Sequence, residues 1–196
     1  MYLCRKPQLQ ITGGFLLLTG WFALENGWRP LAMVLSAAAV HEAGHLLALW
    51  ALGAPAEGAR LTMLGAVLEV RQERLSYGGE LASVLAGPAA NLAAAFFLLL
   101  AAERFPASCA WAGAHLVLAA FNLLPVRPLD GGRAVETVAL WLLGPAWGER
   151  LARTASGAFG TAAGVILLYL TWSGGNLWLL PPAAGILWAA LRECFR

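Results

Sequence analysis

The chain has 196 residues, 60% of them hydrophobic and 12% charged, with a mean hydropathy of +0.68 and a formal net charge of +2. That composition belongs to a polytopic membrane protein. It leaves room for one membrane-embedded domain over residues 1–196, with no appended soluble module, and the small net charge gives no reason to expect a nucleic-acid partner. Cys4, Cys109 and Cys194 are odd in number and widely spaced, which argues against both a disulfide framework and a cysteine metal site.

Apolar segments at about 11–27, 30–52, 79–101, 108–124, 155–172 and 177–193 have the length of spanning helices. The expected fold is therefore all-α and polytopic, with about six transmembrane helices. Arg5 and Lys6 precede the first segment with no small-residue cleavage site after it, so it reads as a retained span.

The second segment contains His41-Glu42-Ala43-Gly44-His45. On a helix, HExxH sets two imidazoles at i and i+4 on one face, where they can share a zinc ion. The glutamate beside them can act as general base toward the attacking water. Ionisable groups within hydrocarbon are costly and mark a functional site by default.

Between the second and third segments, Ala59 to Arg71 has an alternating, partly β-branched pattern with Gly65 placed for a turn. It is too short and too charged to span. It reads as a small membrane-associated β-hairpin dipping toward the active site, where backbone must be buried in protein or line a wet cavity; a plain surface loop is the alternative. Gly87-Pro88-Ala89-Ala90-Asn91, in an alanine-rich span, reads as a close-packing surface for the HExxH helix. His115, alone on the fourth span, reads as a packing or interfacial residue.

Two histidines need at least one more protein ligand to hold a catalytic zinc with a position open. The sole aspartate of the chain is Asp130, at the end of Asn122-Leu123-Leu124-Pro125-Val126-Arg127-Pro128-Leu129-Asp130-Gly131-Gly132. It is the candidate third ligand; the alternative is an N-cap for the helix that follows. Pro125 and Pro128 break the fourth helix and free backbone carbonyls. Asn122 can hold an unwound substrate backbone or simply bridge helices, and Arg127 is a candidate lining of a water-filled cavity. A short helical stretch at about 131–143 follows.

Of the 13 Lys and Arg residues, only Arg29 and Arg104 fall on the outer side if the N-terminus is cytoplasmic. This positive-inside bias predicts a multi-pass cell-membrane protein with both termini cytoplasmic. His41 and His45 then lie about 20 Å below the outer surface, in the cytoplasmic half, at the depth of Asp130.

With HEAGH on an early span, Gly-Pro-x-x-Asn on a later one and Asn-x-x-Pro-x-x-Pro-Leu-Asp-Gly-Gly after it, residues 30–140 resemble the catalytic core of the site-2 proteases, which are intramembrane zinc metalloproteases. The compact form, without a PDZ insertion, is most similar to the subgroup of stage IV sporulation protein FB, which cleaves a membrane-tethered sigma-factor precursor; the CBS domain that members of that subgroup often carry is not expected here. In place of that family's Pro-Phe-Gly-Gly type turn, the hairpin reads Met63-Leu64-Gly65-Ala66. The resemblance implies one Zn2+ per chain held by His41, His45 and Asp130, with Glu42 as the catalytic base. It also implies that Asn122 contacts substrate, to which Gly65 and Pro125 are added here as neighbouring candidates.

The expected reaction is hydrolysis of a peptide bond in or near the transmembrane segment of a single-span or membrane-associated protein. An inhibitory membrane-protein partner is a further expectation, and the oligomeric state is left open. The competing class is a non-catalytic zinc-binding scaffold or a metal transporter. A transporter needs polar residues across the bilayer, for which the other spans offer only Asn91 and His115.

Overall fold

The structure, a computed structural model, describes residues 8–56, 58–62, 65–69 and 75–194. Strand β1 (Gln8–Ile11) leads into helices α1 (Gly13–Asn26) and α2 (Trp28–Ala51). Strands β2 (Gly58–Thr62) and β3 (Gly65–Glu69) follow. The chain continues through α3 (Tyr77–Leu100), α4 (Ser108–Asn122), α5 (Asp130–Gly174), a 3-10 turn at Leu177–Leu179 and α6 (Leu180–Cys194).

This corrects the expected all-α fold with six crossing helices and a lone hairpin. Among the described residues, three helices are long and apolar enough to cross a membrane, by length and composition: α2, α3 and α5. Helices α1, α4 and α6 have 14, 15 and 15 residues. At 1.5 Å per residue these fall short of a hydrocarbon core about 30 Å thick. Nor does a two-stranded hairpin stand by itself, because the strands belong to a three-stranded sheet in the order β1-β2-β3. Strand β1 runs parallel to β2, Gln8 opposite Gly58, and β2 runs antiparallel to β3, Thr62 opposite Gly65. Ile11, the last residue of β1, continues the apolar run of the first segment, and for that reason the sequence places it in the span. A strand contributed from across α1 and α2 leaves no local signal. The Met63-Leu64 turn, Arg71 and Arg74 lie outside the described residues.

Local chemistry sets the helix starts. Thr12 accepts a hydrogen bond from Phe15 N–H at 3.4 Å and Ser76 one from Gly79 N–H at 3.2 Å, each satisfying a free donor in the first turn. Helix α5 merges the short stretch after Asp130 with the segment expected at 155–172. The join is Gly144, at φ +74°, with Pro145 opening the second half. A positive φ of this kind favours glycine, and proline is suited to the first helical position. The two halves meet closely: a Cβ on Gly148 would lie 2.7 Å from the Ala139 carbonyl carbon and oxygen.

The interior is built from small side chains. Ala37, Ala95, Ala112 and Ala119 are at most 1% exposed, whereas Trp28 and Trp172 are 72% and 91% exposed. Large apolar groups outside and alanines inside suit a lipid environment, where association depends on close backbone approach. Helix α3 is the hub, packing on α2, α4 and α5, while α5 carries α6. A Cβ on Gly44 would meet Ala86 O at 2.5 Å and Ala90 Cβ at 2.8 Å, so glycine there lets α2 and α3 touch.

Arg127 serves a purpose other than the cavity lining expected of it. Its guanidinium reaches Glu136 at 3.1 Å, Glu149 at 3.2 Å and Glu193 at 3.6 Å, and Glu149 also binds Arg153 at 3.3 Å. Its backbone N–H donates to Ser156 Oγ at 2.9 Å. These contacts tie the α4–α5 turn to both halves of α5 and to α6, fixing the segment that presents Asp130.

Candidate metal centre

Helix α2 carries His41 and His45 on one face, 4% and 8% exposed, as the i, i+4 spacing requires. Asp130, 8% exposed, opens α5 against them. Its Oδ2 lies 2.9 Å from His41 Nε2 and 3.3 Å from His45 Nε2, and the two Nε2 atoms are 3.1 Å apart. The N-cap position is Leu129, without a side-chain cap bond, so the alternative reading of Asp130 as an N-cap does not describe this helix. Among the described residues, His41, His45 and Asp130 form the one group of three or more side chains placed to ligate a metal ion.

Glycines make the approach of α5 feasible. A Cβ on Gly131 would enter the backbone of Leu123 and Leu124, and one on Gly132 that of Val126 and Arg127. The turn after α4 therefore lies directly on the first turn of α5. Gly87 does similar work for α3, since a Cβ there would collide with the His45 ring, at 2.7 Å from Cε1 and 2.8 Å from Cδ2. The imidazole sits where the glycine has no side chain.

The hydrogen bonds around the rings define what the cluster can hold. His45 Nδ1 lies 2.7 Å from Ser83 O, and a carbonyl can only accept, so Nδ1 carries hydrogen. In the neutral ring Nε2 is then bare, and it faces the Asp130 carboxylate lone pairs at 3.3 Å. Apart from the two imidazoles, Asp130 Oδ2 is buried with no hydrogen-bond partner. Three converging acceptors repel unless a proton or a cation lies among them. A tetrahedral zinc with ligands at about 2.0–2.1 Å holds them about 3.3–3.4 Å apart. The observed edges of 2.9, 3.1 and 3.3 Å match that triangle to within a few tenths of an ångström. The donor set thus fits one zinc ion with a fourth position open.

The remaining predicted residues are distributed around this centre. Glu42, next to His41, is half-buried. Asn122 ends α4, and its Nδ2 donates to Leu118 O of its own helix at 3.1 Å. Pro125 is half-buried in the following turn, and Gly65 starts the edge strand β3. Sequence reasoning missed a chain of polar contacts behind His41. Asn91 Nδ2 lies 3.3 Å from His41 Nδ1, and Asn91 Oδ1 lies 2.9 Å from His115 Nδ1. Asn91 is fully buried and His115 is 4% exposed, which replaces the packing or interfacial role expected of His115. The usable signal was Asn91 itself, one helical turn beyond Gly87 and so on the face that meets α2.

No protein-family model matches the chain. Two curated relatives match a little over half of it. "Putative zinc metalloprotease Rip3" of Mycobacterium tuberculosis is 36% identical over 119 residues, 56% of this chain and 30% of that protein. "Putative zinc metalloprotease sll0528" of Synechocystis is 31% identical over 121 residues, 58% of this chain and 32% of that protein. The matches thus span about a third of the length of these relatives. Among solved structures, the site-2 protease from Methanocaldococcus jannaschii superposes with a TM-score of 0.71 at 21% identity, covering 98% of this chain and 93% of that one. At that identity the likeness is one of fold.

Proposed function

We propose that this chain is the catalytic core of an intramembrane zinc metalloprotease of the site-2 type. The observation that carries the reading is the buried His41–His45–Asp130 triangle, sized for one tetrahedral ion and built on a helix apolar enough to cross a membrane. The site-2 protease fold and the names of the two relatives support it.

A zinc ion at the triangle would polarise the scissile carbonyl and lower the pKa of the attacking water. Glu42 takes the proton from that water and passes it to the leaving amine. His41, His45 and Asp130 would hold the ion, three protein ligands being the number that leaves a catalytic zinc a place for water. A helical substrate hides its peptide bonds in its own hydrogen bonds and must be unwound first. Strand β3 is an edge strand and can accept an extended segment by β-augmentation, beginning near Gly65. Pro125, and Asn122 once its amide leaves Leu118, would hold the other side.

The substrate we propose is a single-span or membrane-tethered protein cleaved in or near its membrane segment. A sigma-factor precursor is the finer candidate, by resemblance of the motifs to the sporulation subgroup. The same reading sets both termini in the cytoplasm and the site in the cytoplasmic half of the bilayer, and allows control by an inhibitory membrane protein.

The test is zinc content and affinity in purified Asp130→Ala. Loss of one of three protein ligands should leave the variant with well under one zinc per chain after dialysis, where the parent retains about one. Equal zinc affinity in the variant and the parent would remove Asp130 from the ligand set.

A further inference from the structure

We propose that His115 is a positioning residue for the metal centre, acting through the Asn91 side-chain amide to select the tautomer of His41. The inference rests on reading His41, His45 and Asp130 as metal ligands. It concerns how His41 is held ready, for which the ligand triangle gives no account.

His45 has its tautomer fixed by Ser83 O, an obligate acceptor. His41 has no such fixture. Its Nδ1 lies 3.3 Å from the Asn91 amino group as the side chain is placed, and a half-turn of the amide presents the carbonyl instead. If the amino group faces His41, Nδ1 accepts and the hydrogen resides on Nε2, which then donates to Asp130 Oδ2 at 2.9 Å. That arrangement is satisfied, but it removes the lone pair that would bind a metal. If the carbonyl faces His41, Nδ1 carries the hydrogen and Nε2 is bare. The two ends of an amide are nearly identical in shape, so the surroundings decide its orientation.

Here the surroundings are His115. Its Nδ1 lies 2.9 Å from Asn91 Oδ1, so in the placed setting His115 Nδ1–H donates and the amino group faces His41; the metal-binding setting is the flipped one. A His115 ring protonated at Nε2 presents a bare Nδ1, accepts from the Asn91 amino group and thereby turns the carbonyl toward His41. A ring protonated at Nδ1 does the reverse. The chain His115–Asn91–His41 is thus bistable, and only one of its settings leaves His41 a ligand. Both outer members are buried, so water cannot readily substitute for either.

Two measurements test this. The protein contains three histidines, so ring-15N-histidine labelling resolves every imidazole in the zinc-loaded protein. The expected pattern is hydrogen on Nδ1 of His41 and His45 and on Nε2 of His115; hydrogen on Nδ1 of His115 would overturn the proposal. The second is a double-mutant cycle on zinc affinity, measured by competition with a chelator. Asn91→Leu should weaken zinc binding by about 10–100-fold, the usual effect of losing a partner that orients a ligand. His115→Phe should weaken it by less in the parent, and not at all in Asn91→Asp, whose carboxylate is an acceptor at both ends and cannot be misoriented. Equal losses from His115→Phe in both backgrounds would mean that His115 is merely structural. Failure of the parent itself to bind zinc would instead count against the ligand reading on which the proposal stands.

Discussion

Glu42→Gln should abolish peptide-bond cleavage while leaving zinc in place. Glutamine keeps the size and hydrogen-bonding reach of glutamate but cannot take a proton from water. General-base catalysis typically supplies about 10²–10⁴-fold in rate, so a loss of at least that order in kcat is expected, with little change in KM. Glu42 is not among the three atoms that form the metal triangle, so zinc per chain should match the parent. The same variant separates the classes of function. A zinc-binding scaffold or a metal transporter has no need of a base at this position and should not lose its activity. Turnover together with metal content, measured on parent and variant side by side, gives the answer. Loss of zinc from Glu42→Gln would instead assign Glu42 to the ligand set.

The second large effect is expected at Gly87, a residue with no chemistry of its own. Adding one methyl there drives it into the His45 imidazole, 2.7 Å from Cε1. The ring is tied to Ser83 O through Nδ1 and faces Asp130 through Nε2, so it cannot yield without giving up one of them. Overpacking a dense site costs about 1–3 kcal/mol, and a displacement near 1 Å at a reacting centre costs about 10²-fold in rate. Gly87→Ala should therefore lower Tm, zinc affinity and cleavage together. Gly113→Ala, on α4 with nothing within 4 Å of its added Cβ, is the control and should leave all three unchanged. Normal zinc affinity in Gly87→Ala would mean that His45 does not occupy the position described.

The metal triangle and the sheet illustrate which features a sequence carries. His41 and His45 are related by helical periodicity, which is local and survives any packing. Asp130 was found by a different route, since it is the only aspartate and the arginine asymmetry set it at the same depth. The features that escaped are all long-range. Arg127 looked like a cavity lining because its partners Glu149 and Glu193 lie 22 and 66 positions further along and on separate packing faces. His115 looked solitary because its partner is on a different helix. The parallel pairing of β1 with β2 crosses two helices and leaves no periodic trace. The break at Gly144-Pro145 was visible as residue types, but whether it ended one helix or folded α5 back on itself depends on contacts such as Gly148 against Ala139. Span number failed for a related reason: apolar runs measured α1, α4 and α6 as longer than the helices they form.

Cleavage of a single-span substrate in detergent or vesicles decides whether the zinc-loaded triangle cuts membrane segments. The protein should be assayed as purified, after zinc removal verified by metal analysis, and after zinc is returned, with the products mapped by mass spectrometry. Cleavage is expected within or beside the membrane segment, lost on zinc removal and restored by zinc. Undiminished cleavage by the verified zinc-free protein would contradict that expectation.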